Sequence, residues 1–121
     1  MAAERGHRSL DELVGDDDEV AIAAITAAEL LVGVELADPE RRPRRQALVD
    51  AVLAAVPVED YDLEVARSHA ALLAHARRSG RARGAHDLVI AATALARDRV
   101  VVTADRSGFA DLPGVAVRAR P

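Results

Sequence analysis

Cysteine, lysine, asparagine and tryptophan are all missing from this sequence of 121 residues. The absence of cysteine excludes thiol catalysis, zinc ribbons and disulfide scaffolds, and it is typical of a protein in a reducing cytosol. The absence of lysine excludes Walker-type phosphate loops and Schiff-base chemistry. One tyrosine and one phenylalanine are the only aromatic residues, which excludes base-stacking platforms of the RRM or OB-fold type.

Long hydrophobic runs are missing as well. The longest apolar stretches, residues 20–28 and 88–96, contain nine residues each, whereas a transmembrane helix needs about 20. The first residues do not have the apolar core of a signal peptide. We therefore expect a soluble, cytoplasmic protein that does not enter a membrane. The net charge of −4 argues against an evenly basic nucleic-acid binder but allows a local basic patch.

The hydrophobic pattern alternates between helices and short strands along the chain. The length predicts a single domain over residues 1–121. Periodicity, β-branched runs and turn residues predict helices at 2–14, 26–37, 44–55, 63–79 and 87–97, strands at 20–25, 56–58, 100–103 and 115–118, and a turn or short helix at 105–112. This alternation is typical of an α/β fold with a mainly parallel sheet flanked by helices on both faces, a three-layer arrangement.

The sequence pattern of two helices predicts which of their residues are buried. The helix at 87–97 is apolar on nearly all sides, which predicts a central, buried position. The helix at 63–79 is amphipathic, and Gly80 is expected to end it. Its expected inward face consists of Leu63, Ala66, Ala70, Leu73 and Ala74.

Three acidic residues follow predicted strands or begin a predicted helix. Glu29 and Asp105 come just after strands, and Asp87 begins the buried helix. Since the carboxyl ends of parallel strands meet at one edge of a sheet, we expect these acids to converge there. Their mutual repulsion would be relieved by a divalent cation, and oxygen ligands suit Mg²⁺ or Mn²⁺.

Each acid also has a purely structural interpretation. Glu29 stands three residues after Thr26, the spacing of a capping box. Asp87 could simply complement a helix dipole, and Asp105 could be the N-cap of the following turn. The convergence of all three on one edge favours the metal site.

Three sequence motifs resemble those of a known family. They are ITAAELLVG at 25–33, GAHDLVIAATAL at 84–95 and VVVTADRSGF at 100–109. In this order they resemble the motifs of PIN-domain nucleases, and in particular of VapC-type toxins from bacterial toxin–antitoxin pairs. The order of helices and strands is similar over essentially the whole chain.

The resemblance implies a metal-dependent endoribonuclease toxin that cleaves RNA phosphodiesters. It implies that Glu29, Asp87 and Asp105 bind Mg²⁺ or Mn²⁺ and are the catalytic residues. Thr26 and Thr103 would support these acids through their hydroxyl groups. It further implies a VapB-type antitoxin as a partner protein and a homodimer as the assembly.

The chain departs from the family pattern in two places. Gly108 stands where some relatives carry an Asp or His, so an extra ligand is not expected. The family also opens with a central strand that ends in a metal-binding Asp, and no counterpart precedes the helix at 2–14. We therefore expect the working protein to begin upstream of Met1. The alternative is a catalytically impaired, truncated PIN-like module that binds antitoxin or RNA without cleaving.

A cluster of arginines lies just before Asp87 in the sequence. Arg81 and Arg83 belong to it and could bind RNA phosphates that the acidic centre would otherwise repel. A solvated basic face is the alternative. His86 could be a general acid or a ligand, although a helix-start residue with no metal role is favoured.

Overall fold

The computed structural model describes residues 19–81 and 83–119, and the predicted helix at 2–14 lies outside them. The helices and strands follow one another in the order β1 (Ile22–Ala23), α1 (Ala24–Glu35), α2 (Arg42–Ala55), β2 (Val58–Glu59), α3 (Leu63–Ser79), α4 (Ala85–Ala96), β3 (Val101–Thr103), a 3₁₀ helix (Arg106–Gly108) and β4 (Val117–Ala119). None of the described helices combines the length and the apolar character needed to cross a membrane.

The strands pair in parallel, which confirms the α/β class. β1 pairs with β2, with Ile22 opposite Val58, and β3 pairs with β4, with Val101 opposite Val117. In the described part of the chain these are two separate two-stranded sheets, not one continuous sheet. Parallel strands need a long connection between them. Helices α1 and α2 lie between β1 and β2, and the segment with the 3₁₀ helix lies between β3 and β4.

The helix α4 occupies the centre of the fold, as predicted. Ile90, Ala91, Ala92 and Ala94 are at most 1% exposed, and α4 contacts α1, α3, β1 and β3. Its small alanine side chains allow these neighbours to approach closely. Because this helix is held on several sides, the residues of its first turn have well-defined positions.

Several predicted boundaries are wrong by two or more residues. The predicted strand at 20–25 is reduced to β1, because α1 already begins at Ala24. The helix predicted at 44–55 begins earlier, at Arg42, and includes Pro43 in its first turn. Proline is tolerated there since the first amide groups of a helix need no intrahelical acceptor. The last strand lies at 117–119 and not at 115–118.

The predicted inward face of α3 is only partly correct, since Leu73 packs against the core but the buried residues are others. Its buried residues are Val65, Leu72 and Ala76, whereas Leu63 is 67% exposed. The expected face consisted mostly of alanines, whose burial contributes little free energy. The larger side chains Val65 and Leu72 therefore determine which face packs against α4.

An arginine at the end of α4 connects three parts of the fold. The Arg97 guanidinium lies 3.2 Å from Glu59 Oε2 in β2 and 2.7 Å from Asp62 Oδ2 at the start of α3. Asp62 is the N-cap of α3 and accepts a hydrogen bond from the backbone N–H of Val65 at 3.0 Å. The Val65 N–H, followed by the Arg97 guanidinium, lowers the pKa of Asp62 below its usual value of 3.8.

We expect Asp62→Asn to lower the melting temperature at neutral pH by a few degrees. Asparagine still caps a helix, so the variant removes mainly the charge. Because the folded-state pKa of Asp62 lies below its unfolded-state pKa, the carboxylate stabilises the fold above the unfolded value. This stabilisation disappears as the pH falls through the folded value. The difference from wild type should therefore shrink as thermal melts are repeated from about pH 6 down to about pH 3.

The matched control is Asp60→Asn, which makes the same charge change two residues away. The Asp60 carboxylate makes no hydrogen bond or ion pair within the described residues, where only its carbonyl accepts from Arg97. An equal loss in both variants, or a loss that does not depend on pH, would contradict the assignment to the Asp62 charge.

Candidate functional site

Asp87 lies in the first turn of the buried helix and is only 5% exposed. A helix N-terminus stabilises a carboxylate there, because its free N–H groups carry partial positive charge. Two glycines approach this carboxylate. A Cβ built on Gly84 would lie 3.5 Å from Asp87 Oδ2, and one built on Gly108 would clash with the same oxygen. The 3₁₀ helix therefore packs directly against the Asp87 side chain at Gly108.

Asp105 is the N-cap of that 3₁₀ helix, as one of its sequence interpretations predicted. Its Oδ1 accepts hydrogen bonds from the Ser107 N–H at 3.1 Å and from the Ser107 hydroxyl at 2.6 Å. Thr103 contacts the backbone of Asp105, with Oγ1 lying 3.1 Å from its nitrogen and 3.2 Å from its carbonyl oxygen. Thr103 thus holds the backbone that carries the Asp105 carboxylate.

Glu29 lies within α1, and its partner across the site is His86. Glu29 Oε1 is 2.5 Å from His86 Nδ1, so the residue before Asp87 connects α1 to the start of α4. The sequence favoured no role for His86, and no pattern within the motifs signals this contact. The capping-box interpretation of Thr26 and Glu29 is wrong, because α1 starts at Ala24 with Ala23 as its N-cap.

Thr26 is a buried polar residue one helical turn before Glu29. It is 4% exposed, and its hydroxyl has no hydrogen-bond partner within residues 19–81 and 83–119. A buried hydroxyl without a partner costs about 1–3 kcal/mol. Its position on α1, close in sequence to Glu29, is compatible with a role in supporting that acid.

The structure brings the three predicted acids towards one end of α4 without assembling a ligand set. Glu29 contacts His86, the residue that precedes Asp87 in the chain. The 3₁₀ helix that follows Asp105 contacts the Asp87 side chain at Gly108. Among the residues that the structure describes, no three His, Asp or Glu side chains form a group that could hold a metal ion. The donor chemistry nevertheless fits a hard divalent cation, since all three predicted ligands are carboxylates and one of them is buried.

Arg81 and Arg83 hold the loop that carries the 3₁₀ helix. The Arg83 guanidinium donates to the Ser107 carbonyl at 3.1 Å and also to the Ala110 carbonyl. Arg81 Nη1 lies 2.6 Å from Asp111 Oδ2, and about half of the Arg81 side chain remains exposed. Both residues therefore attach this loop to the segment before α4, a function that the sequence did not indicate.

Comparisons with known proteins agree on one family. The family model for the PIN domain matches residues 1–115. Ribonuclease VapC5 of Mycobacterium tuberculosis is 40% identical over 119 residues, which are 96% of this chain and 84% of that protein. The tRNA(fMet)-specific endonuclease VapC of Salmonella typhimurium is 33% identical over 99 residues, 81% of this chain and 73% of that protein.

A solved structure shows the same fold. It is the crystal structure of VapBC-5 from Mycobacterium tuberculosis, a member of the VapBC family of toxin–antitoxin systems. The TM-score is 0.69 at 38% sequence identity, and the alignment covers 83% of this chain and 79% of that chain.

Proposed function

The chain belongs to the PIN-domain family, and we propose that it is a metal-dependent endoribonuclease that acts as the toxin of a toxin–antitoxin pair. The observation that carries this proposal is Asp87, a carboxylate that is 5% exposed at the N-terminus of an otherwise apolar helix. The buried helix holds this oxygen ligand in a defined position, as a site for a hard divalent cation requires. The names of the relatives that are 33–40% identical support the ribonuclease activity.

PIN-domain nucleases generally depend on a divalent metal. We propose that Glu29, Asp87 and Asp105 hold Mg²⁺ or Mn²⁺ in this chain, with Thr26 and Thr103 supporting them. When bound, the cation lowers the pKa of a water molecule and stabilises the negative charge that develops on the phosphate. No protein nucleophile is required for this hydrolysis.

The remaining residues orient the acids and the substrate. Helix burial fixes Asp87, the Thr103 hydroxyl fixes the backbone of Asp105, and His86 Nδ1 lies 2.5 Å from Glu29 Oε1. Arg81 and Arg83 lie on the segment just before Asp87, where their positive charge offsets the acids and attracts RNA phosphates. We propose that residues 1–121 form a single PIN-like domain.

The proposed partners are a VapB-type antitoxin and a second copy of the chain. The related crystal structure is that of a toxin–antitoxin system. The α1–α2 region exposes large apolar side chains that a partner would cover, among them Leu31, Val32, Leu36 and Leu48. We also propose that the protein is cytoplasmic, since its RNA substrate is found in the cytoplasm.

The proposal is tested by cleavage of fluorescently labelled RNA with the purified chain. We expect cleavage with Mg²⁺ or Mn²⁺, its complete loss with excess EDTA, and its return when Mg²⁺ is added beyond the chelator. Isothermal titration of the metal-free chain with Mn²⁺ gives a second readout that does not depend on turnover. Cleavage that persists in EDTA contradicts metal dependence. A chain that binds antitoxin or RNA but cleaves no RNA in any metal would instead be the impaired PIN-like module.

A further inference from the structure

A groove with a volume of about 330 Å³ lies between the end of α3 and the start of α4. This volume is at the lower end of the range for sites that bind small ligands. Three apolar side chains and three guanidinium groups contribute to its lining: Leu73, Ala76 and Leu88, and Arg77, Arg81 and Arg83.

The turn after α3 brings the arginines together. Gly80 ends α3 with φ of 68°, a left-handed conformation that favours glycine. The chain then reverses, so that Arg81 and Arg83 line the same groove as Arg77 from the last turn of α3. The reversal concentrates positive charge on a chain whose overall charge is −4.

The three guanidinium groups differ in how many hydrogen bonds and ion pairs they make within the protein. Arg83 donates to two backbone carbonyls, at Ser107 and Ala110, and is therefore a fixed wall of the groove. Arg81 pairs with the exposed Asp111 but is itself about half exposed. The Arg77 side chain is exposed, and its guanidinium makes no hydrogen bond or ion pair within the described ranges 19–81 and 83–119; only the Arg77 carbonyl is engaged, by the Gly80 N–H. Arg77 is thus the guanidinium most available to a ligand.

The groove adjoins the acidic site. Leu88 in its floor directly follows Asp87, and Arg83 in its wall holds the loop whose Gly108 touches the Asp87 carboxylate. A ligand in the groove would therefore lie beside the residues proposed to act on RNA.

We propose that this groove binds one nucleotide of a single-stranded RNA, next to the phosphate that is cleaved. This inference rests on the proposed ribonuclease function and identifies where the substrate chain runs. Arg77 and Arg81 bind a phosphate, as guanidinium groups do through paired hydrogen bonds. The base lies on the aliphatic floor, and a guanidinium plane can stack on it in place of an aromatic ring.

The test compares Arg77→Glu with Arg78→Glu in RNA binding without turnover. Both arginines are exposed and lie in the last turn of α3, but only Arg77 lines the groove. Binding of eight-nucleotide oligo(U) and oligo(A) is measured by fluorescence anisotropy in EDTA over a range of salt concentrations. We expect Arg77→Glu to weaken binding about tenfold and to reduce the salt slope by about 0.7. We expect Arg78→Glu to weaken binding by less than about threefold, through general charge alone.

A competition experiment tests the floor of the groove. Uridine 5′-monophosphate should displace the oligonucleotide at several-fold lower concentration than ribose 5-phosphate, because only the nucleotide has a base. Equal effects of the two arginine variants, no RNA binding by wild type, or equal competition by the two phosphates would each overturn the nucleotide site. Circular dichroism checks that both variants are folded.

The two proposals fail in different ways. If Arg77→Glu alone weakens binding in EDTA but wild type never cleaves RNA in Mg²⁺, the nucleotide site stands and the ribonuclease proposal fails. If wild type cleaves and the two variants bind equally well, the ribonuclease proposal stands and the nucleotide site is wrong.

Discussion

Asp87→Asn is expected to lower RNA cleavage by about 10³-fold or more while the chain stays folded. The amide has nearly the same shape as the carboxylate, so the packing against Gly84 and Gly108 is retained. It is neutral, however, and therefore a much weaker ligand for a hard divalent cation. Loss of the favourable interaction with the α4 N-terminus should cost up to about 2 kcal/mol of stability, the upper value for a carboxylate that is shielded from water.

Two measurements separate the loss of chemistry from the loss of structure. Single-turnover cleavage in Mg²⁺ gives the rate, and thermal unfolding gives the stability. The matched control is Asp98→Asn, which makes the same substitution at an exposed residue beyond the other end of α4. Asp98 has φ of 54°, a left-handed conformation that asparagine tolerates well, so the control should cleave and melt like wild type. Cleavage that survives Asp87→Asn would locate the activity elsewhere or in a contaminating nuclease.

The sequence predicts a helix best where its ends carry strong local signals. α3 was predicted over residues 63–79 and is observed there, because Asp62 caps one end and Gly80 adopts a left-handed conformation at the other. The segment 20–25 lacked such signals. Its apolar run suits a buried strand or a buried helix equally, and in the structure only Ile22–Ala23 form a strand while α1 begins at Ala24.

The sequence predicts the acids of the candidate site better than their neighbours. Asp87 was recognisable because a charged residue at the start of an apolar helix is unusual. The contact of His86 with Glu29 depends on how α1 packs against α4, which no local pattern encodes. The same holds for Arg83, whose donation to the carbonyls of Ser107 and Ala110 joins segments far apart in the chain.

Gly108 is the clearest example of a site residue whose importance is visible only in three dimensions. In the sequence it was merely a position where some relatives carry an Asp or His. In the structure, a Cβ built there would clash with Asp87 Oδ2 and would lie 3.3 Å from Asp87 Cγ. A side chain at this position would therefore reach the centre of the proposed site, so glycine keeps the space beside Asp87 open.

We expect Gly108→Ala to cost about 1–3 kcal/mol of stability, as overpacking of a buried contact does. We also expect it to reduce cleavage by about 10²-fold, because displacement of a catalytic group by about 1 Å has that effect. Neither partner can move away cheaply. Asp87 is short and buried, and Arg83 holds the carbonyls of Ser107 and Ala110 on both sides of Gly108.

Gly84→Ala is the matched control, because it adds the same methyl group on the other side of the Asp87 carboxylate. Its Cβ would lie at an ordinary contact distance of 3.5 Å from Oδ2, and its backbone conformation of φ −64° and ψ 134° suits alanine. We expect near wild-type cleavage from this variant and a stability loss below about 1 kcal/mol. Assays run well below both melting temperatures keep the chains folded, so a rate difference between the two variants reports the position of the Asp87 carboxylate. If the two variants cleave equally well, the close packing of Gly108 against Asp87 does not determine the position of the catalytic carboxylate.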